Sequence, residues 1–474
     1  MTDADLLFTP IRELAAQIRS QQLSPVKLTE VSLQRLQDHG PRLNAVVTLA
    51  GRQALDQAQQ AEREIASGQY RGLLHGIPYG AKDLLATKSM PTSWGAAPFR
   101  SQQFDYDATV IRKLADAGAI LVAKLSMVEL AGGMGYRNAD ASFNGPGINP
   151  WDQNYWSGGS SSGPGSAVAA GLVSFAIGSE TVGSILTPSA FCGITGLRPT
   201  YGRVSRHGAM ALCWTLDKLG PMARGADDCD IILAVIEGVD PEDPTTVAPP
   251  RRTPRMRPRW RIAIPKGALE FVHPEVGRNF NQTSESLLSF GEVAFNVALP
   301  EFPYGPVAST IVDAEGASAF YELIESGGLR HLRAEADRVG GYGGAMVPAV
   351  DYLQAQRIRE KMRRPFQDLF QRYDIIALPS RNTVALPLAM DFNQAYPELE
   401  KERPANFVSP IGSMIQAGNL LGLPALAMPN GFGRGNLPTG FQLVAAPMQE
   451  DALVALGTEY QRRTNFHRQR PPGF

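Results

Sequence analysis

The chain reads as an α/β protein, and three features predict it. Short apolar runs alternate with segments of helical periodicity. The segment Ala119-Ile120-Leu121-Val122-Ala123 is continuously apolar, as a strand covered on both faces should be. From Gly158 to Pro199 the chain runs through two clusters of glycine and serine with an apolar run, Ala167 to Ile177, between them. Small residues let backbone approach backbone, or a substrate, closely. A linker is also rich in these residues but carries no apolar run.

The N-terminal part, residues 1–70, reads as helices. Thr9 as N-cap and Pro10 as first helical residue start one, with Ile11, Leu14 and Ile18 on one face. Ser24-Pro25 repeats the start signal, and Gly40 is expected to end the second helix. A third spans Gln53 to Ile65.

The texture changes over 71–240. Gly76 to Asp83 predicts a short strand with Ile77, Tyr79 and Ala81 on one face and Lys82 on the other. A helix from Ala108 to Ala117 and the apolar strand after it complete a βαβ unit. Residues 132–156 read as a long loop, of the kind that usually carries function. Ala226 to Gly238 reads as a helix.

Residues 241–259 form a proline- and arginine-rich stretch, read as a stiffened surface loop. Beyond it, 260–474 resumes α/β texture. Strands are expected at Arg261–Ile264, Val293–Val297, Ile375–Pro379, Ala425–Met428 and Gly440–Ala445, with helices at Glu275–Leu288, Ala349–Tyr373 and Asp451–Arg462. Gly305 to Pro348 reads as helical and less regular.

Composition narrows the function classes. Charged residues make up 19% of the 474, below the average of about 25% for soluble proteins, which fits a large buried fraction. The net charge of −1 gives no global field for nucleic acid or an anionic membrane. The three cysteines form no CxxC pair, so neither a zinc ribbon nor a disulfide framework is expected. No signal peptide and no apolar run of about 18 residues is legible, so a soluble, cytoplasmic protein is expected.

The chemistry has several openings. Ser160, Ser161, Ser162 and Ser184 are candidate nucleophiles. Gly159-Ser160-Ser161-Ser162-Gly163 matches G-x-S-x-G, which would make Ser161 the nucleophile on a strand–turn–helix elbow. That context needs a buried strand before the turn, and Asp152 to Ser157 makes a poor one. It also needs a histidine base, for which His207 and His331 are the candidates. No metal-binding or phosphate-loop motif appears, so no metal and no cofactor are expected. Lysine is the alternative base. Lys82 sits among apolar residues, where desolvation favours its neutral form; a salt-bridged lysine at a strand end is the competing reading.

Taken together, these segments resemble the amidase signature enzymes. The resemblance rests on Gly158–Pro199 and on His75–Leu84, with support from Asn149–Asp152, Leu216–Arg224, Gly418–Ala425 and Leu437–Leu443. It implies a single domain over 1–474, built on a large central mixed sheet covered by helices on both faces. It also implies a Ser–Ser–Lys triad: Ser184 as nucleophile, Ser160 as bridging serine after a cis Gly159–Ser160 bond, and Lys82 as base. The amides of Thr181, Val182, Gly183 and Ser184 would then hold the oxyanion. Only about one lysine in 2,500 is neutral at pH 7 with an ordinary pKa, so burial must lower that of Lys82.

Three residues depart from the family pattern Asp-x-Gly-Gly-Ser-Ile-Arg: Glu180, Val182 in place of a glycine, and Leu186 in place of the arginine. The last puts the usual acid–arginine pairing of Glu180 in doubt. Met134, Tyr136 and Trp214 are expected to line the substrate pocket. The function implied is hydrolysis of a small or aryl-substituted amide, with ester or carbamate as related substrates. The alternatives are the glutaminase subunit of a tRNA-dependent amidotransferase and a catalytically dead scaffold protein. The expected ligand is a small molecule, with a homodimer as the assembly allowed.

Overall fold

A computed structural model describes residues 3–250, 259–401, 403–404 and 407–474. Arg251, Arg252, Arg255 and Arg257 of the proline- and arginine-rich stretch lie outside the described residues.

Among the described residues, eleven strands make one sheet. In chain order they are β1 (Val46–Leu49), β2 (Pro78–Lys82), β3 (Ile120–Leu125), β4 (Phe175–Glu180), β5 (Thr195–Arg198), β6 (Lys218–Ala223), β7 (Trp260–Pro265), β8 (Gly291–Val297), β9 (Ile375–Pro379), β10 (Ala425–Phe432) and β11 (Pro438–Ala445). Their spatial order is β1-β3-β2-β4-β6-β5-β10-β11-β9-β7-β8. The sheet is mixed: β3, β2 and β4 run parallel, as do β9, β7 and β8. The six strands from β4 to β9 pair antiparallel in succession. The α/β class and mixed sheet expected from the sequence are present.

The middle strands are buried along their whole length, so both faces must be covered. Helices Pro25–Leu43 and Gly51–Ala66 pack near β1 and β3, while Pro274–Leu288 and Glu450–Arg463 cover β10 and β11.

Two helix ends differ from the sequence reading. The first long helix begins at Ile11, with Pro10 rather than Thr9 at its cap. Its first amide donates to Asp228 Oδ1 at 2.9 Å, so the cap comes from a residue 217 positions away. The Thr9 hydroxyl instead donates to the carbonyl of Asp5. The second helix runs past Gly40 to Leu43 and ends on Asn44, which takes the left-handed conformation. Gly40 serves packing: a Cβ there would lie 2.8 Å from Val46 Cγ2, against the incoming β1.

The Gly/Ser stretch folds as helix Ser162–Ala169, strand β4 and helix Leu186–Cys192, all buried. Gly163 shows why small residues are needed. A Cβ would meet Ser126 N at 2.4 Å, Ala45 O at 2.6 Å and Ser126 O at 2.7 Å. All three are backbone atoms and cannot swing aside. Gly163→Ala is therefore expected to destabilise the protein by about 1–3 kcal/mol, the usual range for overpacking. A urea denaturation midpoint unchanged from the parent would refute this.

Candidate active site

Lys82 ends β2, and β2 pairs in parallel with β4, which carries Ser179 near its own end. The two side chains meet: Lys82 Nζ donates to Ser179 Oγ at 2.9 Å. It also donates to Ser160 Oγ at 2.8 Å. Ser160 follows the Gly159–Ser160 peptide, which is cis. No carboxylate touches the Lys82 ammonium among the described residues; its partners are the two hydroxyls. Burial pushes its pKa down to about 7, against the opposing pull of the Asp217 and Glu180 charges. The competing expectation of a salt-bridged lysine finds its partner one strand away. There Lys124 on β3 pairs with Asp83 at 3.1 Å.

Ser184 lies in the turn between β4 and helix Leu186–Cys192. The Ser161 amide donates to the Ser184 carbonyl at 3.3 Å, so the segments carrying Ser160 and Ser184 lie against each other. Gly183 has φ 92°, a conformation that favours glycine. The amides of Val182, Gly183 and Ser184 donate to no protein group among the described residues. Thr181 is fixed differently: its hydroxyl donates to Asp217 Oδ1 at 2.6 Å. Asp217 in turn accepts from the amides of Leu212 and Cys213.

Glu180 holds this turn from beneath. Its Oε2 accepts from the amides of Ile185 at 2.9 Å and Leu186 at 3.0 Å. Its Oε1 accepts from Arg198 Nη1 at 2.8 Å and Asn419 Nδ2 at 2.9 Å. Burial alone would raise the carboxyl. The Arg198 charge and hydrogen bond, the Lys218 charge and the Leu186 amide outweigh it and hold the group down at about 2. The acid–arginine pairing put in doubt by Leu186 is thus made by Arg198 of β5. Glu180→Gln would leave a buried guanidinium without its counter-charge, a loss expected to cost about 3–5 kcal/mol. Because the carboxyl is depressed when folded, its stabilisation is present above its ordinary pKa of 4.5 and fades as pH falls toward 2. Denaturant melts of parent and variant should therefore differ at pH 7 and converge in acid.

The remaining candidates separate. Ser161 is fully buried, donating from Oγ to the Ser179 carbonyl and accepting from the Ser179 amide. Among the described residues no strand runs directly into it, so the elbow that G-x-S-x-G would require is not formed. Ser162 opens its helix and donates to the Ser126 carbonyl. His207 sits beside Glu242 and Tyr106, and His331 lies in a short 3-10 turn. No histidine among the described residues lines the cavity that Ser184 opens into.

That cavity has a volume of about 300 Å³, with Gly159, Val182, Ser184 and Thr187 on one side. Tyr136 and Trp156 wall it together with Phe392; the Trp156 and Phe392 rings stack at 4.5 Å. Of the three expected pocket residues, Tyr136 is there. Met134 is buried under helix Asp337–Ala345, whose Gly340 and Gly341 lie on it. Trp214 is half exposed, stacks on Arg206 at 4.8 Å, and lines a smaller cavity that reaches Ser179 and Thr181 but not Ser184. Ser179, Arg198, Asn419 and Arg381 were not singled out from the sequence. Only Ser179 left a signal, a hydroxyl just past the end of the apolar run and five residues before Ser184.

Fold and site together define a class of amide-cleaving enzyme, and the comparisons agree. The amidase family model matches residues 27–454. A glutamyl-tRNA(Gln) amidotransferase subunit from Gloeothece citriformis is 33% identical over 98% of this chain and 99% of its own. The native peptide amidase of Stenotrophomonas maltophilia superposes with a TM-score of 0.82 at 29% identity, covering 98% of each chain. A bacterial aryl acylamidase superposes at 0.85 with 22% identity, covering 98% of this chain and 99% of its own, a likeness of fold alone. The chain belongs to the amidase family of amidase signature enzymes. It is accordingly a hydrolase acting on C–N bonds and takes amides as substrates. No described helix is long and apolar enough to cross a membrane.

Proposed function

We propose that this protein hydrolyses a small or aryl-substituted amide by a Ser–Ser–Lys mechanism, with Ser184, Ser160 and Lys82 as its catalytic residues. The observation that carries the reading is the buried contact of Lys82 with Ser160, made without a carboxylate at the ammonium. A lysine with pKa about 7 is a competent base at neutral pH.

In this reading Ser184 Oγ attacks the amide carbonyl carbon. Its proton passes to Ser160 Oγ, and the Ser160 proton passes to Lys82 Nζ. The C=O electron pair moves to oxygen, where the Val182, Gly183 and Ser184 amides donate to it; the Thr181 amide completes the proposed set. When the C–N bond breaks, the amine leaves with a proton returned from Lys82 through Ser160. Water then repeats the cycle on the acyl-serine and releases the acid. Esters and carbamates fit the same acyl transfer. The aromatic walls of the cavity support an aryl group on the substrate. A cytoplasmic setting fits three cysteines that are buried and free.

A second reading has its own support. The glutamyl-tRNA(Gln) amidotransferase relative matches over nearly the whole chain, so a glutaminase working with a partner protein is the alternative. Hydrolysis by the purified chain of primary amides, anilides, aryl esters, carbamates and glutamine separates the two. Turnover of anilides by the chain alone supports the first. Turnover of glutamine alone, or only after a partner is added, supports the second.

A further inference from the structure

The cavity at Ser184 holds one cation that the mechanism does not use. Arg381 lines it, just beyond the end of β9. Among the described residues its guanidinium makes no hydrogen bond and no ion pair, and its Nε is buried. Its contact is with the Phe191 ring, whose centroid lies 5.9 Å from the guanidinium carbon. No aspartate or glutamate among the described residues lines the cavity.

The segment carrying Arg381 is pinned. Ser380 N donates to Gly440 O at 2.9 Å, His273 N to Asn382 O at 2.8 Å, and Trp156 N to Leu386 O at 2.8 Å. The side chain is therefore held at the cavity by fixed backbone on both sides. Holding a charge in place before the ligand arrives lowers the ordering cost of binding. Guanidinium stays cationic even where burial, as here, lowers its pKa, an effect opposed by Tyr136 and Glu180. A partly buried charge with no protein partner is less well solvated than one in water until an anion meets it. A carboxylate matches the planar fork of donors that arginine presents.

We propose that Arg381 anchors a carboxylate on the substrate, so that the preferred amides are small molecules carrying a carboxylate beside an apolar or aryl portion. The carboxylate sits on either the acyl part or the leaving amine. The inference rests on the reading of Ser184 as the acyl-accepting residue.

The test compares two substrate pairs with the purified full chain. Succinic acid mono-4-nitroanilide against butyric acid 4-nitroanilide places the carboxylate on the acyl side. 4-Butyramidobenzoate against 4-butyramidotoluene places it on the leaving side. The parent enzyme should favour the carboxylate member of one pair by about tenfold to a hundredfold in kcat/KM, as charge-assisted hydrogen bonds allow. In Arg381→Met that ratio should fall to near one, and Arg381→Lys should keep an intermediate ratio. A parent ratio near one in both pairs, or a ratio unchanged in Arg381→Met, overturns the proposal.

Binding to the Ser184→Ala protein, measured by calorimetry, provides a readout without turnover. The carboxylate amide of one pair should bind more tightly than its neutral partner, and the added Arg381→Lys change should weaken that preference. Equal binding of both members in both pairs overturns the proposal even if no anilide is hydrolysed. Full activity in Ser184→Ala with the Arg381-dependent ratio intact would instead overturn the nucleophile reading alone.

Discussion

Ser184→Ala is expected to lower kcat by about 10³- to 10⁶-fold while leaving the fold in place, the range seen when a serine nucleophile is removed. Little structure depends on the hydroxyl. Ser184 is held through its carbonyl, which accepts from Ser161, and through the neighbouring amides that Glu180 receives. Removing one oxygen leaves those bonds intact. The melting temperature should stay within a few degrees of the parent. The measurement is anilide hydrolysis under single-turnover conditions, with circular dichroism on the same samples. Parent-like turnover in the variant would remove Ser184 from its role.

Lys82→Met should lower kcat/KM by about 10²- to 10⁴-fold at neutral pH, the usual contribution of a positioned base. The parent enzyme provides a companion signature. With Lys82 at about 7, the neutral form grows with pH, so kcat/KM should rise about tenfold per unit below pH 7 and level off above it. Stability carries the same fingerprint with a defined sign. The folded pKa lies below the ordinary 10.5, so between about 7 and 10.5 the unfolded chain binds more protons. The penalty for burying Lys82 is full below pH 7 and is relieved as pH climbs to 10.5. Relative to the parent, Lys82→Met should therefore look more stable at pH 7 than at pH 10. A pH–rate profile that is flat from 5 to 9, or a stability difference that does not move with pH, would contradict the assignment.

The elements that sequence reasoning found were those whose local pattern agrees with their fate. β3 begins in the continuous apolar run Ala119–Ala123, and helix Pro274–Leu288 carries regular periodicity, so both lie within two or three residues of the expected bounds. β4, β5 and β6 were not legible. β5 has four residues, two of them Thr195 and Gly196, and β6 carries Gly220 and Pro221 in mid-sheet. Glycine and proline there argue against a central strand by ordinary rules. Tertiary packing overrides them: a Cβ on Gly220 would lie 2.2 Å from Leu197 O on the neighbouring strand.

The site divides the same way. Lys82, Ser160 and Ser184 were picked out by resemblance, not by spacing, since nothing local brings residue 82 to residue 160. Ser179 was hidden because its contact with Lys82 spans 97 positions. Asn419 was hidden for the same reason: it meets Glu180 across 239 positions. Trp214 and Met134 were placed by their positions in the family pattern, and such a position does not say which cavity a side chain faces.

The anchoring of Glu180 has a consequence for how the protein is made. Ser184 and Arg198 leave the ribosome well before Asn419. Asn419, which shares Glu180 Oε1, lies 239 residues after it, and Arg198 Nε donates to the carbonyl of Leu423. The strand beside β5 is β10. Until that late strand arrives, β5 presents an open edge, the kind of surface that recruits other strands or a chaperone. A nascent chain that has emerged only as far as β9 thus holds every residue of the proposed triad, but Glu180 still lacks Asn419 and Arg198 still lacks the Leu423 carbonyl. The turn that carries Ser184 is therefore completed only after residues more than 200 positions further along the chain have been made.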